Sequence, residues 1–288
     1  MSKRTFLLLG SMMLLLLLFL EVTTVAFLKT SQQTGTPQSI ERSQYNKKKK
    51  GKAKENSMSA ESSVKANQAK STTAKKDEPA QETMKPAYTK SVAITFDDGP
   101  NAATTPQLLQ ILKEKKVHAS FFVLGDKIEK HPDITKKAIE NGNEIGSHTF
   151  DHQDLSKLSV AEITAEITKA DEEIRKSIGE RPAYVRPPYG SITSEGARII
   201  NRPIIEWSVD SQDWKTRNPE LIVRQVQETV YDGAIILFHD IYEETVAAIP
   251  QIIDYLHSQG YQLLTVGELL DHPTAAENYY GRNDHRPA

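Results

Sequence analysis

The chain has 288 residues, a formal net charge of −2 and no cysteine. That length admits one large domain or two small ones. The missing thiols exclude disulfides and thiolate metal sites, leaving His and carboxylate as ligands for any metal. Charge is unevenly spread: residues 1–90 carry a basic excess, so residues 91–288 are strongly acidic, which argues against nucleic acid as a partner.

Lys3 and Arg4 precede an apolar run interrupted only at Glu21. The 23 residues from Phe6 to Leu28 would span roughly 34 Å as a helix, against about 30 Å of hydrocarbon. This predicts an uncleaved single-span membrane anchor over residues 1–28. A cleaved signal peptide is the competing expectation, with Thr24-Val25-Ala26 as its small-residue site, although signal cores are usually about 7–15 residues long. Either reading places the remainder outside the cytoplasm, membrane-tethered in the first case and secreted in the second. Residues 29–87 are rich in Lys, Ser, Thr, Gln and Ala. Too few apolar side chains are present to offset ordering entropy, so a disordered linker is expected. Solvation alone accounts for the Lys47–Lys50 run; an anionic wall polymer is the partner it would suit.

From residue 88 to about 272 the pattern is that of one domain. Strand-like runs fall at Val92–Phe96, Ala119–Val123, Glu144–Ser147, Ala183–Val185, Ile204–Val209, Ala234–Phe238 and Tyr261–Val266. Between them, Ser159 and Glu162 have capping-box spacing and open a helix with Ile163, Ile167, Ala170 and Ile174 on one face. Asn218-Pro219 supplies an N-cap and a first-turn proline for a second helix. A third runs from Ala247 to His257, and Gly260 suits its stop. Strand and helix alternate, which implies a parallel sheet with helical crossovers. Residues 273–288 read as a C-terminal tail.

Polar clusters follow the strands: TFDDGP from Thr95, HTFDH from His148, RPPY from Arg186, DSQDW from Asp210 and LFH from Leu237. C-terminal strand ends share one face in a parallel barrel, and active sites are built there; an open sheet gathers ligands at the same edge. Contributions from so many strand ends favour the closed form. Asp97 and Asp98 point to different sides if the chain stays extended, so one can face a metal and the other a water. His148 and His152 come to one side through a helical turn or a compact loop, and with one aspartate they suit Zn²⁺ or a related divalent ion. Pro187-Pro188 stiffens the backbone beside Arg186. His239 ends a very apolar run and is either a buried structural group or a catalytic acid. Asp210, at another strand end, is the expected acceptor of its ring proton.

These motifs, with the flanking FFVLG and GNEIGSHTFDHQDL, resemble in order and spacing those of the NodB-type polysaccharide deacetylases, carbohydrate esterase family four. The likeness covers about residues 88–270 and departs at no motif position. It implies a distorted (β/α) barrel. It further implies a metal site of Asp98, His148 and His152, with Zn²⁺ expected and Co²⁺, Mn²⁺ or Ni²⁺ as alternatives. Asp97 would be the general base and His239 the general acid. Arg186 would orient Asp97, and Asp210 would tune His239. The Tyr189 amide would help hold the oxyanion, while Trp214 and Leu237 would line an acetyl-sized pocket. The implied reaction is removal of N-acetyl groups from an N-acetylated cell-wall glycan, peptidoglycan or chitin-like. An acetyl-ester hydrolase acting on a glycan such as xylan, and a non-catalytic wall-binding module, are the alternatives.

Overall fold

The structure is a computed structural model and describes residues 88–288. The expected anchor or signal and the whole of the expected linker lie outside the described residues. No helix among the described residues is long and apolar enough to cross a membrane.

Strand β1 (Lys90–Asp97) is buried from Ser91 onward, which explains why its sequence is nearly continuous in apolar character. Helix α1 (Thr105–Lys115) leads to β2 (Ser120–Val123), and the short helices α2 (Gly125–Lys130) and α3 (Pro132–Glu140) lead to β3 (Glu144–Ser147). Helix α4 (Val160–Ile178) has the capping box that Ser159 and Glu162 predict, and Gly179 ends it with φ 90°. Its face of Ile163, Ile167, Ala170 and Ile174 is buried as the periodicity requires. Helix α5 (Ser194–Ile200) precedes two short strands, β4 (Ile204–Ile205) and β5 (Val209–Asp210).

Helices α6 (Asp213–Thr216) and α7 (Pro219–Thr229) follow, and the Asn218 side chain caps α7 by accepting from the Leu221 amide at 2.9 Å. After β6 (Ile235–His239), helix α8 (Glu243–Ser258) begins four residues earlier than its apolar periodicity suggests and carries Pro250 inside it. Strand β7 (Tyr261–Leu264), helix α9 (Val266–Leu270), β8 (Glu277–Gly281) and β9 (Asp284–Pro287) complete the chain.

The main sheet is parallel, in the order β3-β2-β1-β6-β5, with β7 also paired to β1. Single parallel bridges, Ser147 to Val185 and Val185 to Ile204, carry the pairing from β3 across to β4. Two departures from the sequence reading have clear causes. The Ile204–Val209 run is two strands, because the chain changes partner midway: Glu206 donates its amide to Tyr279, whereas Ser208 donates to Ile235. Residues 273–288 are no loose tail. β8 pairs with β4 and β9 folds back on β8, while buried Tyr279 packs with Ile205 and Tyr184.

Side-chain alternation along β1 sorts the interior. Phe96 faces the helices and stacks on Phe121 and Phe238, with ring centroids 5.2 and 5.6 Å away. Truncating such a buried phenylalanine costs about 3–5 kcal/mol. Thr95 and Asp97 point the other way, toward Arg186. Register then sets the site. Asp97 pairs with both Phe122 and His239, and Val123 with Ser147, so the ends of β2, β1 and β6 lie level and His148 follows at once.

Candidate active site

Asp98 stands one residue past β1 with φ 71°, a left-handed conformation that turns the chain sharply as the strand ends. Its Oδ1 lies 3.5 Å from His148 Nε2 and 3.2 Å from His152 Nε2. The three ligand atoms lie within 4.8 Å of one another. Asp98 Oδ1 is buried without a hydrogen-bond partner, a costly arrangement unless something electropositive sits there. His148 Nδ1 is 2.7 Å from the Arg186 carbonyl. A carbonyl can only accept, so Nδ1 carries the proton and the Nε2 lone pair faces Asp98. Burial above all, with the His152 and Arg186 charges, lowers the His148 pKa to about 3 against the pull of Asp98. It is therefore a neutral imidazole, the form that binds metal. Donor set, tautomer and orphaned oxygen all fit a divalent cation held by Asp98, His148 and His152.

Asp97 belongs to a different network. Arg186, fully buried, donates Nη1 to Asp97 Oδ1 at 2.7 Å and to Thr95 Oγ1 at 2.8 Å. Its Nε and Nη2 bond the Ile205 and Glu206 carbonyls. The guanidinium also lies over the Phe122 ring, 4.1 Å from the centroid. Burial raises the Asp97 pKa above the usual carboxylate value, and Arg186 and His239 hold the rise back. Its free oxygen, Oδ2, stands 3.6 Å from His148 Nε2. One aspartate thus faces the imidazole pair, and the other is an arginine-held carboxylate beside it.

The partner of His239 is not Asp210. Asp213 Oδ1 lies 2.8 Å from His239 Nδ1, and Asp213 Oδ2 accepts the His239 amide at 2.7 Å and the Thr245 hydroxyl at 2.7 Å. Asp210 pairs in register with Leu237, two residues short of His239, and makes no hydrogen bond to the ring. It accepts instead from the Gln212 amide and, at 3.5 Å, from Trp214 Nε1. Burial opposes charge on His239, but the bond to Asp213 and the charges of Asp213, Asp97 and Asp98 outweigh it, raising the pKa to about 9. The ring is a cation at neutral pH.

A cavity of about 480 Å³ joins these groups. Asp97, Asp98, His148, His152 and His239 line it, as do Tyr189, Asp210, Trp214 and Leu237; Arg186 lies behind its wall. Tyr189 and Trp214 stand 69% and 51% exposed at the rim, and the Tyr189 ring meets His152 edge-on at 4.7 Å. Trp207 and Tyr242 line the same cavity and were not among the expected residues. Neither sits in a polar strand-end cluster, so the sequence held no cue beyond their aromaticity. Asp213 was visible within DSQDW, but choosing it over Asp210 requires the register of β5 against β6.

A family model described as polysaccharide deacetylase matches residues 85–202. The peptidoglycan-N-acetylglucosamine deacetylase PgdA of Listeria monocytogenes is 39% identical over 206 residues, which are 71% of this chain and 44% of that protein. The peptidoglycan-N-acetylmuramic acid deacetylase PdaC of Bacillus subtilis is 44% identical over 66% of this chain and 41% of its own length. The chain thus spans less than half the length of these two relatives. A solved structure of PdaC superimposes with a TM-score of 0.62, covering 65% of this chain and 93% of that one. A peptidoglycan-N-acetylglucosamine deacetylase of Bacillus cereus is 35% identical, over 64% of this chain and 90% of its own.

Proposed function

The chain belongs to the polysaccharide deacetylase family, and on that premise we propose that it is a metal-dependent hydrolase. It removes N-acetyl groups from the amino sugars of a cell-wall polysaccharide, peptidoglycan or a chitin-like chain, and releases acetate. The observation that carries this reading is the meeting, in one cavity, of the Asp98-His148-His152 trio, the arginine-held Asp97 and the cationic His239. Zn²⁺ is the ion proposed, since two imidazoles and one carboxylate suit it; Co²⁺, Mn²⁺ and Ni²⁺ suit the same set.

A divalent ion on these three residues would polarise the acetamide carbonyl and acidify a water molecule. Asp97 takes the proton from the attacking water, and Arg186 keeps the carboxylate aimed and ionised. The backbone N–H of Tyr189, whose residue sits at φ 62°, donates to the oxyanion as charge develops. His239 then gives its Nε2 proton to the departing nitrogen, so the C–N bond breaks with a neutral amine leaving. Asp213 holds the His239 Nδ1 proton and stabilises the cation until that transfer. Leu237 and Trp214 enclose the acetyl methyl, and Asp210 steadies the Trp214 indole.

The same proposal places the protein in the cell membrane through a single N-terminal span, with the catalytic domain outside the cytoplasm. It is secreted if that span is cleaved. The barrel form of the fold is supported by the bridges through Val185, and contact of Lys47–Lys50 with anionic wall polymer is supported by their charge.

The test is acetate release by the full-length chain from N-acetylglucosamine oligomers and from peptidoglycan, with and without a chelator. Chelator-sensitive release that Zn²⁺ or Co²⁺ restores is the expected result. No release from either substrate by protein with metal bound would overturn the proposal.

A further inference from the structure

Helix α4 buries two carboxylates: Asp171 pairs with Arg181 and Arg202, whereas Glu166 lies among the apolar residues Ile163, Ile167 and Ala170 with no cation beside it among the described residues. A carboxylate on the apolar stripe of a helix is costly unless it is hydrogen-bonded. The partners of Glu166 all lie on one loop. Its Oε2 accepts the Phe150 amide at 3.1 Å and the Asp151 amide at 3.2 Å, and its Oε1 accepts Gln153 Nε2 at 3.3 Å. That loop, residues 149–153, follows His148 directly and carries His152.

The loop needs outside support. Thr149 and His152 have φ of 71° and 67°, values that strain residues other than glycine by about 1–3 kcal/mol each. From the opposite side, the first amides of α2 bond its carbonyls, Gly125 to Thr149 at 3.1 Å and Asp126 to Phe150 at 2.9 Å. Phe150 occupies the space that Gly125 leaves open, where a Cβ would come within 2.6 Å of the ring. The two histidines differ in what fixes them. The His148 ring is tied by Nδ1 to the Arg186 carbonyl. The His152 ring has no such tie among the described residues; its backbone amide bonds Thr149 Oγ1. Its aim therefore comes from the backbone of the loop.

We propose that Glu166 is a positioning residue for the metal site, fixing the 149–153 loop so that His152 Nε2 faces Asp98 and His148. This rests on the metal site of the proposed function and adds a residue that touches neither the ion nor the ligand side chains. Because one oxygen takes both loop amides, reach matters and charge does not. Glu166→Gln keeps an acceptor at that point without the charge, whereas Glu166→Asp keeps the charge and falls one methylene short.

The experiment is Zn²⁺ titration of the full-length chain against a chromogenic chelator, for the parent and both variants, with melting of each metal-free protein alongside. Glu166→Gln is expected to bind within about threefold of the parent and Glu166→Asp about tenfold or more weakly, the size of effect seen when supports of a ligand are removed. Metal-free melting should leave both variants folded at the titration temperature. Parent-like affinity in Glu166→Asp, or a loss in Glu166→Gln equal to that in Glu166→Asp, would overturn the assignment. A parent that bound no Zn²⁺ would remove the metal site itself, a result distinct from either.

Discussion

Asp213 grips His239 twice, with Oδ1 at 2.8 Å from the ring Nδ1 and Oδ2 at 2.7 Å from the backbone amide of the same residue. The carboxylate is fully buried, and the Thr245 hydroxyl and the Trp214 amide also donate to it. It thereby sets both where the imidazole stands and which nitrogen keeps a proton.

A proton donor must be protonated to work, so the sign of the pH dependence follows. With His239 raised to about 9, turnover should fall as pH rises through about that value. Asp213→Asn keeps the shape but removes the charge, so burial acts with less opposition and the pKa drops. The alkaline limb should move to lower pH by more than about one unit, and kcat near neutrality should fall roughly 10²-fold. Asp210→Asn should leave the limb in place. pH–rate profiles of the two variants decide the matter, and a shift in Asp210→Asn alone would restore the assignment that the sequence suggested.

How that assignment went astray shows what sequence can carry here. Metal-ligand candidates, the arginine and the last histidine are legible because each sits in a polar cluster closing an apolar run, and all these ends share one edge of the sheet. Partner choice across the site is not legible. Asp210 and Asp213 are equally acidic in text, and only pairing of Asp210 with Leu237 shows that the former stops short. The hairpin of β8 and β9 was equally hidden, since its partner β4 is two residues long and Glu277–Gly281 lacks a continuous apolar run. Glu166 reads as one more polar residue on a solvated helix until the loop that needs it is in place.

Arg186 should tolerate no substitution, not even lysine. Its three donating nitrogens bond Thr95, Asp97, Ile205 and Glu206 in a fixed plane, and an ammonium cannot reproduce that fork. Arg186→Met leaves Asp97 buried without its cation, which should cost about 3–5 kcal/mol in denaturant unfolding. Any folded fraction should show the acid limb of its pH–rate profile displaced upward. The sign follows because Arg186 holds the Asp97 pKa down, so its loss raises the pH at which the base becomes ionised. A parent-like denaturation midpoint for Arg186→Met would contradict the role of this network.

Asp97 should give the opposite phenotype from the three metal ligands, its neighbour Asp98 included. Asp97→Asn is expected to retain stoichiometric metal while losing about 10²-fold or more in kcat, because Asp97 bonds Arg186 rather than standing among the ligands. His148→Ala removes one of three ligands and should lose the metal itself. Elemental analysis after gel filtration, paired with acetate release, reads both. Equal metal content and near-parent rates in the two variants would undo the division of labour.

The exposed ring of Tyr189 can be separated from its backbone. The amide proposed for the oxyanion belongs to the main chain at φ 62°, and any side chain other than glycine's meets that strain alike. Tyr189→Ala should therefore keep kcat within about threefold while raising KM roughly tenfold, the loss of about 1.4 kcal/mol of ring contact with a sugar face. Tyr189→Phe retains the ring and should behave as the parent does. Steady-state kinetics on N-acetylglucosamine oligomers resolve the split: a fall in kcat with KM unchanged in Tyr189→Ala would mean that the ring, through its edge-on contact with His152 at 4.7 Å, serves the reacting centre instead of the glycan.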